Sequence, residues 1–408
     1  MTSHKRVLVL NGFGNNLGDQ AIFTGFIEAF GQATEAAEVE VALDQSFIYD
    51  FPFRQSTIET LNAEYDLIVL GGGGFIYHRD HDQTASGWGF DIPEPLIRSL
   101  TTPFAVYATG YNYRAYADSH FPAHTASHVR ETIRRAAHFS VREHGSVAML
   151  QKEFGVRDEI DIVPDCALHL QPSRAHLPEL RRDSRPVGLC LRLDKAQERF
   201  GEPFGPRFEY FIANLLESLR ALVAEGRQIV FTPHLLTQTD IEVGQLLKAS
   251  LPEGSVILLH EHIPSLYTSA SLELPSVLAA VYRQLDVVIG QRLHSVVIPF
   301  AVGTPVVSMS STASNGWMQD ELGVSRDFHI DLCELETAFT AQALTEKVQR
   351  LSREREEWRH SAFLRRSELL RVAREKTLAL VHKTLAPSAM APLETPSSAR
   401  PNLRLAAS

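Results

Sequence analysis

The stretch Val7-Leu8-Val9-Leu10-Asn11-Gly12-Phe13-Gly14-Asn15-Asn16-Leu17-Gly18-Asp19 sets a short apolar run against a glycine- and asparagine-rich turn, and a helical pattern follows over residues 19–30. An apolar run without polar alternation reads as a strand covered on both faces, the habit of parallel sheets. The unit recurs. Residues 66–70 run into a loop, Gly71-Gly72-Gly73-Gly74; residues 104–108 end at Gly110; 139–141 precede a helix-like segment reaching Phe154; 160–163 stop at Pro164. Strand-then-helix alternation predicts an α/β, doubly wound sheet.

A polar stretch over 171–186, with three prolines and six charged residues, reads as an interdomain linker. Beyond it the alternation resumes, with strands at 188–193, 228–232, 256–259, 286–289 and 305–309 and helices at 208–225, 275–284 and 293–301. The expectation is two Rossmann-like domains, residues 1–175 and 186–335, facing a cleft. Residues 336–386 read as a C-terminal helical extension, and 387–408, rich in Pro, Ser and Ala, as a disordered tail. Residues 351–386 hold nine basic and five acidic side chains. They read as a solvated helix packing Leu369, Val372, Ala373 and Leu380 onto the domains, with a peripheral membrane contact as the alternative.

The 408 residues include 39 basic and 49 acidic side chains, a net charge of −10. That balance excludes a nucleic-acid footprint over the whole surface and leaves room for a local basic pocket. Three cysteines, Cys166, Cys190 and Cys333, cannot make a disulfide framework, and no two sit at zinc-ligand spacing. The first fourteen residues turn to glycine before a signal-type apolar core, and the most apolar stretch, 295–309, is broken by Pro299, Gly303 and Pro305. A soluble protein of the cytoplasm is expected.

The first turn imitates a dinucleotide fingerprint, but its third glycine, Gly18, comes one position late. Asp19 would also repel a pyrophosphate at the helix start. Either Asp19 caps its helix or it faces a neutral, hydroxylated substrate; Asn15 and Asn16 would suit a sugar for the same reason. Gly71–Gly74, placed at a strand's C-terminal end, would let backbone approach a ligand. His78-Arg79-Asp80-His81-Asp82 matches no strong ligand spacing, and no metal is expected. Arg142 and Arg292 each follow an apolar strand, and His294 lies two residues past Arg292. Each arginine could be a structural ion pair; two of them with a histidine favour an anion site. Arg192, His234, Asp240 and Asp165 fit a cleft or ordinary hydrogen bonding equally well. Trp88, Tyr111 and Tyr113 could stack on a sugar or pack in a core.

In order along the chain, Gly14-Asn15-Asn16-Leu17-Gly18-Asp19-Gln20-Ala21-Ile22, Asp66-Leu67-Ile68-Val69-Leu70-Gly71-Gly72-Gly73, Ser140-Val141-Arg142-Glu143 with Ser146, Val163-Pro164-Asp165, Pro233-His234 with Asp240, and Arg292-Leu293-His294 with Gly303-Thr304-Pro305 resemble the polysaccharide pyruvyl transferase family. The resemblance spans roughly residues 5–320. It implies a GT-B-like pair of domains and transfer of the carboxyethylidene group of phosphoenolpyruvate to two sugar hydroxyls, with release of phosphate and no cofactor. It makes Arg142, Arg292 and His294 donor-site residues, with Gly72 and Gly73 beside them. Asn15 and Asn16 stand on the acceptor side. His294 is the expected acid, and Asp19 the expected base on the opposite wall, its charge kept apart from the donor's. The acceptor is expected to be a sugar or lipid-linked saccharide, with loops 49–55 and 78–90 setting its identity. Competing expectations are a GT-B glycosyltransferase using a sugar nucleotide, a glycan-binding relative without activity, and a family member acting on a small metabolite.

Overall fold

The computed structural model describes residues 4–78, 84–112, 121–194, 200, 204–386 and 404–405. Arg79–Asp82, Tyr113 and the tail apart from 404–405 lie outside the described residues.

Two all-parallel sheets carry the fold. The first contains β1 (Lys5–Asn11), β2 (Val41–Phe47), β3 (Leu67–Ile76), β4 (Phe104–Tyr111), β5 (His138–Val141) and β6 (Asp161–Ile162), with β13 (Arg404–Leu405) beside β2. Its order is β13-β2-β1-β3-β4-β5-β6. The second contains β7 (Val187–Cys190), β8 (Ile229–Phe231), β9 (Val256–Leu258), β10 (Val287–Gly290), β11 (Val306–Ser310) and β12 (His329–Asp331), ordered β12-β11-β10-β7-β8-β9. Strand order reverses between β1 and β3 in the first sheet and between β7 and β10 in the second. Open α/β sheets bind ligands at such switch points. Val7, Val9, Leu67, Val69 and Ala105 are buried under helices on one face, and Leu8, Leu10, Ile68, Leu70 and Val106 on the other, which is why these runs show no alternation.

The glycine run is not a loop. β3 continues through Gly71–Gly74 to Ile76, and its pairing with β4 shifts register after Gly73. Gly72 (φ +63°) has no room for a side chain, since a Cβ there would lie 2.2 Å from Ile22 Cγ2. Its bareness seats the helix Leu17–Ala36 on the sheet.

The connection between the sheets is pinned to the second one. Ser173 N donates to Ser276 O, Leu177 N to Gln284 Oε1 and Arg181 N to Gln228 Oε1. The C-terminal region is three helices, Leu335–Ala338, Ala341–Arg353 and Arg355–Thr384. The last returns to the first sheet, burying Leu369, Ala373 and Leu380. Tyr107 Oη meets Thr377 Oγ1 at 2.6 Å, and Arg366 donates to the carbonyls of Leu168 and Leu170. No described helix is long and apolar enough to cross a membrane. Trp88 and Tyr111 are core residues rather than sugar platforms; Trp88 Nε1 donates to His128 Nδ1 at 2.8 Å.

Candidate active site

The two switch points face each other across a polar cavity of about 120 Å³. From the first sheet come Asn16, Asp19, Gly74, Asn112 and Arg142; from the second come Arg192, His234, Arg292, His294, Ser314 and Asn315. Two roomier hollows, about 370 Å³ beside Trp358 and about 480 Å³ beside His138, are lined by none of these residues.

The turn after β1 is folded by its own amides. Phe13 N donates to Asn11 Oδ1, and Gln20 Nε2 donates to Gly14 O. Asn16 Oδ1 accepts from Gly18 N at 2.9 Å and so caps the helix Leu17–Ala36. Asp19 is therefore not the cap. It sits in the first turn and lines the cavity. Leu17 N donates across the cleft to His234 O at 2.8 Å.

Arg142 directly follows β5 and is 4% exposed. Its Nε lies 3.2 Å from Glu143 Oε2 and its Nη1 3.2 Å from Asp165 Oδ2. It rests on the bare face of Gly110, where a Cβ would stand 2.5 Å from Nε. Asp165 follows β6. Its Oδ1 accepts from Ala167 N, and the oxygen that holds Arg142 also meets His294 Nε2 at 3.3 Å. One carboxylate oxygen thus joins an arginine of the first half to a histidine of the second.

His294 opens the helix His294–Ala301. With Nε2 on Asp165, its Nδ1 faces Gly18, where a Cβ would come within 2.8 Å of that nitrogen. Arg292 pairs with Asp194, and Arg192 lies 3.7 Å from the same aspartate. Ser314 and Asn315 belong to the first turn of the helix Ala313–Leu322, and Asn315 Nδ2 donates to Gln291 O. The arginines are ion-paired, and they also face the cavity.

Burial pushes the Asp19 carboxyl up, against the pull of His294, Arg292, Arg142 and Arg192. Asp19 therefore shares the cavity with these cations; the expected separation of its charge from theirs does not exist. Burial would also raise Asp165, but His294, Arg142 and the Ala167 amide overcome it and hold that carboxyl below the ordinary range. Burial, followed by Arg292 and His294, drives the His234 imidazole well below its usual value.

Of the residues marked in the sequence, Asp19, Asn16, Arg142, Arg292 and His294 are brought together, and Arg192 and His234 join them. Asn15 is exposed outside the lining, and Gly72 and Gly73 are absent from it; Gly74 alone of the glycine run reaches the cavity. Asp240 forms a capping box with Thr237 for the helix Gln238–Ser250. Asn112, Ser314 and Asn315 carry no signal in the sequence beyond following a strand. Among the described residues no group of three His, Cys, Asp or Glu is placed to hold a metal ion.

The polysaccharide pyruvyl transferase family model matches residues 16–312. No curated protein sequence matches the chain. A glycosyltransferase from Rickettsia africae is similar in structure, with a TM-score of 0.54 at 10% identity over 95% of this chain and 100% of that one. A putative UDP-N-acetylglucosamine 2-epimerase from Listeria monocytogenes superposes with a TM-score of 0.53 at 12% identity, covering 88% of this chain and 90% of its own. MnaA of S. aureus, in a co-structure with UDP, gives 0.53 at 11% identity over 88% and 90%. At such identities the likeness is one of architecture, the GT-B arrangement of two facing Rossmann-like units.

Proposed function

Since the chain belongs to the polysaccharide pyruvyl transferase family, we propose that its cavity binds phosphoenolpyruvate and transfers the carboxyethylidene group to two hydroxyls of a sugar. The observation that carries this reading is the single Asp165 oxygen shared by Arg142 and His294 from opposite halves, with Arg292 lining the same space. Phosphoenolpyruvate places a carboxylate and a phosphate on three carbons. A site for it needs several non-titrating cations at close range, and arginine supplies them in a fork that fits both groups.

Arg142, Arg292 and Arg192 hold the two anionic groups. His294, oriented through Nε2 by Asp165, delivers a proton from Nδ1 to the methylene carbon, which becomes a methyl group and leaves C2 electrophilic. A sugar hydroxyl adds to C2, and Asp19, its carboxyl raised by burial, accepts the hydroxyl proton. The second hydroxyl displaces phosphate and closes the ketal. Two hydroxyl protons are lost; one balances the proton gained by carbon, and the other leaves with phosphate or solvent.

Titration calorimetry with phosphoenolpyruvate tests the assignment. Arg292→Ala and Arg142→Ala should each weaken binding by about tenfold or more, the range of a lost charge-assisted contact. Equal affinity in wild type and both variants would remove the donor from this cavity.

A further inference from the structure

His234 is fully buried in the cavity wall, at the turn after β8. Its Nε2 lies 2.7 Å from Tyr282 Oη, a hydroxyl that also meets Thr232 Oγ1 at 3.3 Å. Its Nδ1 is buried without any partner. A buried nitrogen without a partner is costly, and a ligand hydroxyl in the cavity that His234 lines would complete this one. Burial and the nearby Arg292 and His294 favour the neutral ring. A neutral imidazole offers one N–H and one lone pair, a match for a hydroxyl better than for a phosphate already faced by arginines.

Its place in the fold narrows the ligand. The order β11-β10-β7-β8 sets the His234 turn two strands from that of Arg292 and His294, about 10 Å at the usual strand spacing. Ser314 and Asn315, after β11, lie on the other side of β10. The His234 carbonyl accepts from Leu17 N, two residues before Asp19. Asp19 and His234 thus stand on the two walls joined by this backbone contact, and both line the cavity.

We propose that His234 is a positioning residue for the acceptor, its Nδ1 hydrogen-bonding the sugar hydroxyl whose proton Asp19 accepts. With Tyr282 Oη donating to Nε2, Nδ1 carries the hydrogen and donates to the hydroxyl oxygen. That hydroxyl then points its own proton at Asp19 and keeps a lone pair for C2. The inference rests on the transfer reading given above and adds the acceptor's anchor to it.

The test is a histidine-ring ¹⁵N spectrum of the full chain, first with phosphoenolpyruvate and then with methyl hexopyranosides at millimolar concentration. The His234 Nδ1–H signal should shift on adding glycoside and stay within linewidth on adding phosphoenolpyruvate. Two variants separate positioning from structure. Asn at 234 keeps a polar group where Nδ1 lies, and Gln keeps one where Nε2 meets Tyr282. His234→Gln should weaken glycoside binding at least tenfold, His234→Asn less than threefold, and both should bind phosphoenolpyruvate within twofold of wild type. The reverse order, or a shift driven by phosphoenolpyruvate alone or by neither ligand, overturns the proposal while the donor reading stands. Loss of phosphoenolpyruvate binding by wild type overturns both.

Discussion

The turn after β1 and the turn after β10 have the same build, a parallel strand delivering a helix N-terminus to the cavity, and they carry opposite chemistry. The first turn places a carboxylate, Asp19, in the opening turn of Leu17–Ala36, where the helix dipole favours negative charge. The second places an imidazole, His294, at the opening of His294–Ala301, where the dipole opposes positive charge. What offsets that opposition is Asp165, brought in from the other half. Asp19 is thus placed by its own helix, whereas His294 is held through a contact between the two halves.

Removing the bridging charge should break this contrast most severely. Asp165→Asn leaves Arg142 and His294 facing each other in a buried site without their shared anion. Loss of one partner from a buried ionic cluster costs about 3 kcal/mol or more. Turnover should fall by at least ~100-fold, the scale of a general acid's contribution. Thermal melts and phosphate release would record the two effects, and an active, equally stable variant would show that His294 needs no carboxylate.

Gly18→Ala probes the same contrast more gently. Alanine is a better helix former than glycine, so Leu17–Ala36 should be kept. Its Cβ, however, would lie 2.8 Å from His294 Nδ1 and 3.1 Å from Cγ, forcing the ring away. A misplacement of this size should lower kcat about 10- to 100-fold, with a smaller fall in Tm than Asp165→Asn gives, because the carboxylate keeps Arg142. Full activity would mean that Nδ1 does not deliver the proton.

Much of this arrangement is readable in the chain because the central strands are covered on both sides. Residues 7–10, 104–108 and 287–289 have little choice but continuous apolarity, and they announce themselves. β2 does not, since Val41–Phe47 lies towards the edge, is half exposed, and carries Asp44, which takes Arg6 and Tyr65. The glycine run misleads for a related reason. Glycine ordinarily ends a strand, yet here the requirement is space for Ile22 from a helix fifty residues earlier. Asp165 is the sharpest case. Its sequence context, a Pro-Asp pair after a strand, has many structural uses, and its meaning lies in partners 23 and 129 residues away. Local pattern identifies which side chains reach a strand end; only the opposed sheets decide which of them meet.

Glu143 offers the finest test of how the first half holds its arginine. It is fully buried beside Arg142, and Ser146 Oγ donates to it. Burial pushes its carboxyl up to about 7, against the pull of Arg142 and Ser146 and with the help of Asp165 and Glu321. An unfolded glutamate titrates near ~4.3, so the folded chain holds this proton more tightly. The stability it brings is complete at low pH and is lost as the pH rises through 7, by an amount on the order of 4 kcal/mol. Asp165, depressed rather than raised, has the opposite sign: its contribution is present at neutral pH and disappears in acid. Urea melts at pH 5 and pH 8 should therefore show Glu143→Gln gaining on wild type at the higher pH. A variant that tracks wild type at both would mean that Glu143 stays ionised, and that Arg142 is held by two anions where His294 is held by one.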